Sequence, residues 1–146
     1  MIKLKEVTKE SFEEVIALKV DEKQEGFLRS NIYSLAQAKF YPEMCPLAIY
    51  DDDEVLVGFL MYRTDHLKGN SYLIFRLMID ERYQAKGYGR EALTILIKKL
   101  QKDKSRDTIY IDVKPENSVA IKLYKELGFI DKGKIVEGEI VLELSY

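Results

Sequence analysis

The sequence predicts one α/β (α+β) domain, in which a mixed sheet is flanked by about four helices. The chain has 146 residues, which fits the ~100–200 residues of a single domain, and 47% of them are apolar, enough to build a core. Strand-like and helix-like segments follow in the order βαα, three strands joined by hairpins, α, β, α and two final strands. Hairpins beside β-α-β units indicate a mixed sheet with helices packed on it.

Two helices are predicted to follow a short first strand, in which apolar residues alternate with lysines. Ser11 and Glu14 have the spacing of a capping box, so we expect the first helix to begin there. The second helix is expected from about residue 27 to residue 40. Pro42 and Pro46 are then expected to bracket a loop.

The centre of the chain is predicted to supply the middle strands of the sheet. Residues 47–50 and 55–62 are strand-like runs joined by four consecutive acidic residues at 51–54, a pattern typical of a hairpin. Residues 72–79 form a nearly continuous apolar run that only Arg76 interrupts. Such a run predicts a central strand that is buried on both faces.

The C-terminal half is predicted to contain two helices and three strands. Apolar residues at helical spacing follow Gly89, and residues 108–113 form the next strand. Asn117 is expected to begin the last helix, which Gly128 ends in the left-handed conformation. Residues 135–144 contain two strand pieces around a Glu-Gly turn.

Composition excludes several classes of function. Lysine and arginine number 23 against 25 acidic residues, a net charge of −2, so neither a nucleic acid nor an anionic membrane is expected as a partner. No run approaches the ~18 apolar residues of a membrane span. Cys45 is the single cysteine and indicates a reducing, cytoplasmic compartment, while the single histidine, His66, disfavours both a histidine-based triad and a metal centre.

The chemistry is expected where the buried strand over 72–79 leads through a polar, glycine-containing segment into a helix. Unpaired N–H groups and the positive end of the helix dipole meet there, which suits a phosphate or pyrophosphate. A P-loop is excluded because no Gly-Lys pair is followed by Ser or Thr. A dinucleotide fingerprint is an alternative, since residues 87–92 read G-x-G-x-x-A and Asp112 could bind a ribose. Against it, seven residues separate Ile79 from the first glycine and only 34 follow Asp112. A plain connection that binds nothing is a further alternative.

Two motifs resemble a known family. Residues 84–89, Gln-Ala-Lys-Gly-Tyr-Gly, resemble the Q/R-x-x-G-x-G/A signature of the GNAT superfamily of acetyl-CoA-dependent N-acetyltransferases. Residues 117–129 resemble its second landmark, N-x-x-A-x-x-L-Y-x-x-x-G-F. Within that superfamily, residues 18–38, 76–80 and 83–89 look most like the bacterial spermine/spermidine (diamine) acetyltransferases. The resemblance covers nearly the whole chain.

The resemblance implies a mostly antiparallel sheet in which a central pair of strands, 72–79 and 108–113, splays apart around the pantetheine arm of acetyl-CoA. The backbone of Leu77, Met78 and Ile79 would pair with the pantetheine amides, and Asn117 would reach the cofactor from the far side. Asn117 also has the ordinary reading of a helix cap, and the two roles are compatible. The pyrophosphate would be held by backbone N–H groups of Gln84, Ala85, Lys86, Gly87, Tyr88, Gly89 and Arg90.

The resemblance also implies the roles of catalytic and substrate-binding residues. Tyr124 matches the general acid of the family, which would protonate the departing thiolate. The base is left open between a water chain ending at Asp112 and one ending in the acidic cluster at 21–25. The polyamine is expected to meet the spaced carboxylates and the aromatic side chain of Asp21, Glu22, Glu25 and Phe27, for which a solvated face is the alternative.

The resulting expectation is a cytoplasmic, metal-free N-acetyltransferase that moves an acetyl group from acetyl-CoA to a small polyamine such as spermidine or spermine. One alternative is the same fold acting on another amine, such as an amino acid, an aminoglycoside or a protein N-terminus. Another is a catalytically idle acyl-CoA-binding module. A homodimer is expected, with the terminal strand over 139–144 as the exposed edge of the sheet.

Overall fold

The computed structural model describes residues 1–27 and 29–146. These residues form a seven-stranded sheet, four α-helices and two short 3₁₀ helices over Glu22–Phe27 and Glu81–Tyr83. The strands are β1 (Lys3–Glu6), β2 (Met44–Tyr50), β3 (Leu56–Thr64), β4 (Ser71–Ile79), β5 (Thr108–Val113), β6 (Ile130–Val136) and β7 (Glu139–Ser145). The helices are α1 (Phe12–Ala17), α2 (Asn31–Phe40), α3 (Tyr88–Leu100) and α4 (Ser118–Glu126).

The sheet is mixed and mostly antiparallel, with the strand order β1-β2-β3-β4-β5-β7-β6. Only β4 and β5 run parallel, and α3 connects them. The predicted fold class is therefore confirmed. The dinucleotide-binding alternative needs a mostly parallel, doubly wound sheet, and this topology excludes it.

The central strands β4 and β5 separate halfway along their length. Their pairing runs from Ser71 opposite Thr108 to Ile74 opposite Ile111, and it stops there. The register between β3 and β4 shifts at the same level, which leaves Phe75 as an additional residue in β4. A bulge of this kind bends and twists its strand. The ends of β4 and β5 consequently diverge and leave a cleft between them, as predicted.

Helices cover both faces of the sheet. On one face, α3 and α4 contribute buried side chains such as Leu93, Leu96 and Tyr124 to the larger core. On the other face, Val15 of α1 packs in a second core that includes Phe59 and that α2 also contacts. The central strands are buried on both sides, since alternate β4 residues join different cores. Among the described residues, no helix is long and apolar enough to cross a membrane.

Three sequence predictions for the N-terminal half are wrong in detail. Pro46 does not border a loop but lies in β2, opposite Met61. It is tolerated there because β1 ends at Glu6, opposite Leu47, so Pro46 has a strand partner on one side only. The side chain of Ser11 does not cap α1, and the second helix begins at Asn31, after the 3₁₀ helix over Glu22–Phe27.

The prediction that the terminal strand forms an edge of the sheet is also wrong. The strand β7 lies between β5 and β6, so β6 is the edge at this end. The β6–β7 hairpin folds back through Glu137 and Gly138, which both have positive φ angles. The homodimer stays a prediction, and an edge-to-edge contact would have to use β6.

Candidate active site

A cleft of about 430 Å³ occupies the space between the diverging ends of β4 and β5. Residues 74–79 of β4 form one wall, and residues 111–113 of β5 with α4 form the other. Most of the lining residues are apolar, and residues of the loop that begins α3 also line the cleft. The bulge at Phe75 and the parallel pairing that stops at Ile74 together produce this opening.

The side chain of Gln84 fixes the loop at the end of β4. Its Nε2 donates to the backbone oxygen of Ile79 and to Oε1 of Gln24, both at 2.9 Å. These bonds attach the loop to the strand and to the 3₁₀ helix over Glu22–Phe27. The motif glutamine therefore has a structural role that the sequence alone did not reveal.

The buried carboxyl group of Asp80 holds the same region together. It accepts hydrogen bonds from the Lys19 N–H at 3.0 Å and from Nε of Arg82 at 2.8 Å. Burial opposes its ionisation, but these bonds outweigh that cost and keep the pKa of the carboxyl below its usual value. The end of β4 is thereby tied to the segment that follows α1.

Left-handed backbone at Ala85 and Gly87 shapes an anion cradle at the start of α3. The φ angles are 62° for Ala85 and 82° for Gly87. The first N–H to bond back into the helix is that of Glu91, to the Gly87 oxygen. The N–H groups of Tyr88, Gly89 and Arg90 therefore have no acceptor within α3, and the positive end of the helix dipole lies at the same place. This arrangement suits a phosphate or pyrophosphate.

Most of the predicted cofactor-binding residues lie together around the cleft. The side chains of Lys86 and Arg90 are exceptions: Lys86 is exposed near the Tyr83 ring, and Arg90 pairs with Glu126 of α4. The role predicted for these two residues belongs to their backbone N–H groups and stays a prediction. The predicted residues that line the cleft are Leu77, Met78, Ile79, Gln84, Ala85, Gly87, Tyr88, Gly89 and Asn117.

Asn117 caps α4 and also lines the cleft. Its side-chain oxygen accepts a hydrogen bond from the Ala120 N–H at 3.3 Å, as expected of an N-cap. The cap holds the first turn of α4 against the opening beside β5. Its contact with a cofactor stays a prediction.

Tyr124 lies on the face of α4 that borders the cleft. Its ring is 7% exposed and packs edge-to-face with Phe129, with ring centroids 6.4 Å apart. Burial, with a further contribution from the nearby Asp112 charge, raises the pKa of the Tyr124 phenol well above its usual value. The group consequently stays protonated at neutral pH, as a proton donor must.

Two carboxyl groups meet where β5 leaves β4. Asp112 of β5 lies within hydrogen-bonding reach of Glu139 of β7, and both line the cleft. Burial and then the Glu139 charge raise the pKa of the Asp112 carboxyl to about 8, against a smaller opposing effect of Arg76. A carboxyl group with this pKa can accept a proton near neutral pH.

The predicted acidic residues for polyamine binding do not line the cleft. Asp21, Glu22 and Glu25 are exposed, and Asp21 accepts a hydrogen bond from the Lys23 N–H at 2.9 Å. The 3₁₀ helix that carries them contributes Gln24 to the cleft wall instead. The side chain of Phe27 lies outside the described part of the structure. A role of these residues in substrate binding stays a prediction.

A second, more polar groove of about 610 Å³ adjoins the cleft on the α2 side of the sheet. The two cavities share Phe75, Arg76, Asp112, Lys114 and Glu139. Sequence reasoning missed the groove because its wall joins α2, β3, β4 and β7, which only the topology brings together. The interruption of the apolar run by Arg76 was the one available signal.

Cys45, the one cysteine of the chain, is half-buried in β2 rather than in a loop, and His66 is exposed between β3 and β4. Within residues 1–27 and 29–146, no group of three or more metal-ligating side chains could hold an ion.

Comparison with known proteins connects this geometry to a family. The acetyltransferase (GNAT) family model matches residues 12–129. The spermine/spermidine N(1)-acetyltransferase of Bacillus subtilis (strain 168) is 33% identical over 148 aligned residues, which cover 97% of this chain and 96% of that protein.

Solved structures share the fold. Spermidine N-acetyltransferase from Vibrio cholerae, in complex with CoA and spermine, has a TM-score of 0.78 at 17% identity, covering 99% of this chain and 95% of that one. The PaiA N-acetyltransferase from Thermoplasma acidophilum, in complex with coenzyme A, has a TM-score of 0.74 at 19% identity, covering 100% and 99%. The family match, the full-length relative and the cleft between diverging strands agree: this chain belongs to the acetyltransferase (GNAT) family and is an acetyltransferase.

Proposed function

We propose that this chain is an acetyl-CoA-dependent N-acetyltransferase that acetylates a primary amine of a polyamine such as spermidine or spermine. The observation that carries the proposal is the full-length similarity to the spermine/spermidine N(1)-acetyltransferase of Bacillus subtilis. The cleft between β4 and β5 supports it, because an apolar slot that ends in an anion cradle suits a pantetheine arm with its pyrophosphate.

The residues present fit acetyl-CoA. Over residues 76–79, β4 pairs with β3 only, so its edge toward β5 would offer backbone N–H and C=O groups to the pantetheine amides. The Ile79 oxygen is an exception, because it already accepts a hydrogen bond from Gln84. The N–H groups of Tyr88, Gly89 and Arg90 would hold the pyrophosphate. In the proposed reaction, the backbone N–H of Met78 or Ile79 stabilises negative charge on the thioester oxygen during attack.

The acceptor amine must lose a proton before it attacks. An alkylamine with a pKa of ~10.4 is protonated at pH 7, so neutral amine costs ~4.6 kcal/mol, from ~3.4 units at 1.36 kcal/mol each. In the proposed reaction, Asp112 accepts this proton, directly or through water. Burial, and then the charge of Glu139 beside it, disfavour the Asp112 anion and so keep its carboxylate basic.

Tyr124 is the proposed proton donor to the departing CoA thiolate. It borders the cleft and stays protonated at neutral pH. The donation replaces a free thiolate by a thiol, which makes the departure of CoA easier. The phenol then regains a proton from solvent or from the neighbouring acid, Asp112.

Release of free CoA thiol from acetyl-CoA tests the proposal, with spermine, spermidine, putrescine, lysine and an aminoglycoside as acceptors. The proposal predicts the highest kcat/KM for spermine or spermidine and a large loss of kcat in Tyr124→Phe. A higher kcat/KM for lysine or the aminoglycoside would contradict the polyamine proposal and assign that amine as the acceptor class. Tight binding of acetyl-CoA with no turnover on any amine would favour an idle acyl-CoA-binding module.

A further inference from the structure

Arg76 is a half-buried cation that lacks an anionic partner. Among the described residues it forms no ion pair. Its Nη2 donates to Oε1 of Gln37 at 3.2 Å, and its buried Nε–H has no acceptor. Burial lowers the pKa of the guanidinium, although Asp112 and Glu139 oppose this from a distance. Charged side chains inside proteins are normally paired and hydrogen-bonded, so this guanidinium is expected to meet an anion that is not part of the chain.

Arg76 lies at the junction of the cleft and the groove. In the β3–β4 ladder it stands opposite Met61, and Arg63 lies two residues further along β3. Arg63 also lines the groove and also has a buried Nε–H without an acceptor among the described residues, while its Nη2 pairs with Glu43 at 3.3 Å. Two guanidinium groups with unused donors thus come from neighbouring strands to one wall.

The charge of the groove favours an anion at this wall. Besides Arg63 and Arg76, the groove is lined by the cations Arg29 and Lys114, against three carboxylates. One of the three, Asp112, is largely protonated at neutral pH because its pKa is about 8. An ammonium group is therefore favoured only at the carboxyl groups of the groove, and an anion is favoured at the wall that carries Arg63 and Arg76.

We propose that Arg76, with Arg63 beside it, forms a carboxylate-binding subsite in the acceptor groove. The acceptor amine would lie at Asp112 and Glu139, where cleft and groove meet, and a carboxylate a few bonds away would lie at Arg76. The inference rests on the proposed acetyl transfer to an amine and extends the acceptor class to amino-acid-type amines. A guanidinium with free Nε and Nη donors can bind a carboxylate through two parallel hydrogen bonds.

Lysine, lysinamide and cadaverine test this subsite, because they differ only at one carbon, which carries a carboxylate, a carboxamide and a hydrogen atom, respectively. Binding of each to the wild-type protein is measured by calorimetry at fixed ionic strength, and kcat/KM by release of CoA thiol. We expect lysine to bind and react at least ~10-fold better than lysinamide and cadaverine, because a charge-assisted hydrogen bond to the carboxylate is lost in the other two. Equal or weaker binding of lysine would overturn the inference.

Charge-removing variants assign the preference to the two arginines. Arg76→Gln and Arg63→Gln are expected to reduce the preference for lysine over lysinamide by ~10-fold or more. Lys98→Gln, which removes an exposed charge on α3, is the matched control and should keep the preference. A preference that survives in both arginine variants would contradict the assignment.

The two proposals fail in different ways. If lysine binds preferentially but no amine releases CoA thiol, the proposed acetyl transfer fails and the carboxylate subsite stands. If polyamines are acetylated and the carboxyl group has no effect on binding, the subsite fails and the transferase stands.

Discussion

The carboxyl group of Asp112 lies beside that of Glu139, on adjacent strands and at the point where β5 leaves β4. Burial and then the charge of Glu139 make the ionisation of Asp112 unfavourable and raise its pKa to about 8. The parallel pairing of β4 and β5 ends one residue before Asp112, so the same divergence that opens the cleft brings this carboxyl group to it. The divergence of β4 and β5 therefore accounts both for the cleft and for the position of Asp112 in it.

The rate should follow the ionisation of Asp112. Only the carboxylate accepts a proton, so kcat/KM should rise with pH and level off above about 8. Asp112→Asn should lower kcat/KM by ~10²–10⁴-fold and remove this limb from the pH profile. Glu116→Gln, an exposed acid before α4, is the control and should leave the profile unchanged. An unchanged profile in Asp112→Asn would exclude Asp112 as the base.

The same carboxyl group should make stability depend on pH. Its folded pKa of about 8 lies above the unfolded value of ~3.9, so the folded state binds more protons between them and stability falls as pH rises through this window. Asparagine does not titrate. When the pH is raised from about 5 to about 8, urea unfolding should show a larger loss of stability for the wild type than for Asp112→Asn. Equal losses would mean that Asp112 titrates normally.

Tyr124→Phe should lose activity without losing the fold. Phenylalanine keeps the ring that packs on Phe129 and removes only the hydroxyl group. We expect kcat to fall by ~10²–10³-fold with little change in the KM for acetyl-CoA, since a general acid acts in the transition state. Steady-state kinetics check this, with Tyr41→Phe as the exposed control. A variant with nearly full kcat would show that the thiolate departs without this proton donor.

Gly58→Ala should push β4 away from β3 beside the cleft. A Cβ at Gly58 would lie 2.5 Å from the backbone oxygen of Met78 and 2.8 Å from Cδ1 of Ile79. We expect a loss of stability of ~1–3 kcal/mol and a higher KM for acetyl-CoA, because overpacking shifts the backbone that borders the cofactor. Gly69→Ala, where a Cβ meets nothing within 4 Å, should be neutral. Thermal unfolding measures the stability of both variants. Equal melting temperatures of Gly58→Ala and Gly69→Ala would contradict the close approach of β4 to Gly58.

Asp80→Asn should loosen the connection between β4 and the segment after α1. Removing the charge weakens the bonds from Lys19 and Arg82, at a cost of ~1–2 kcal/mol. The folded pKa of Asp80 is lowered, so its contribution is present above the unfolded pKa and is lost as pH falls through the folded value. Urea unfolding at neutral and at acidic pH measures this, with exposed Asp53→Asn as the control. Equal stability of wild type and variant at neutral pH would contradict it.

Local sequence signals predicted most helices and strands, whereas the order of the strands in the sheet depends on long-range pairing. The apolar run at 72–79 identified β4, and Asn117 and Gly128 marked the ends of α4, because these signals act within a few residues. The position of β7 between β5 and β6 is a long-range pairing, which periodicity does not encode. For this reason the sequence placed β7 at the edge of the sheet and missed Glu139 as the neighbour of Asp112.

The candidate site was predictable where its groups belong to the backbone. The glycine motif identifies the N–H groups at the start of α3, since glycine readily adopts the positive φ angle found at Gly87. The lining of the second groove could not be predicted in this way, because it is formed by side chains that only the folding of α2, β3, β4 and β7 brings together. The acidic cluster at 21–25 was predicted from the family resemblance and from the positive charge of polyamines, whereas the groove contains Arg63 and Arg76.

Transfer of a heavy-isotope-labelled acetyl group from acetyl-CoA tests the central claim most directly. The purified protein is incubated with labelled acetyl-CoA and spermidine, and mass spectrometry follows both the amine and free CoA. We predict monoacetylated spermidine that carries the label, formed in equal amount to free CoA, and at least ~100-fold slower formation of it in Tyr124→Phe. Release of CoA without labelled amine, or no reaction with any amine tested, would contradict the proposed activity.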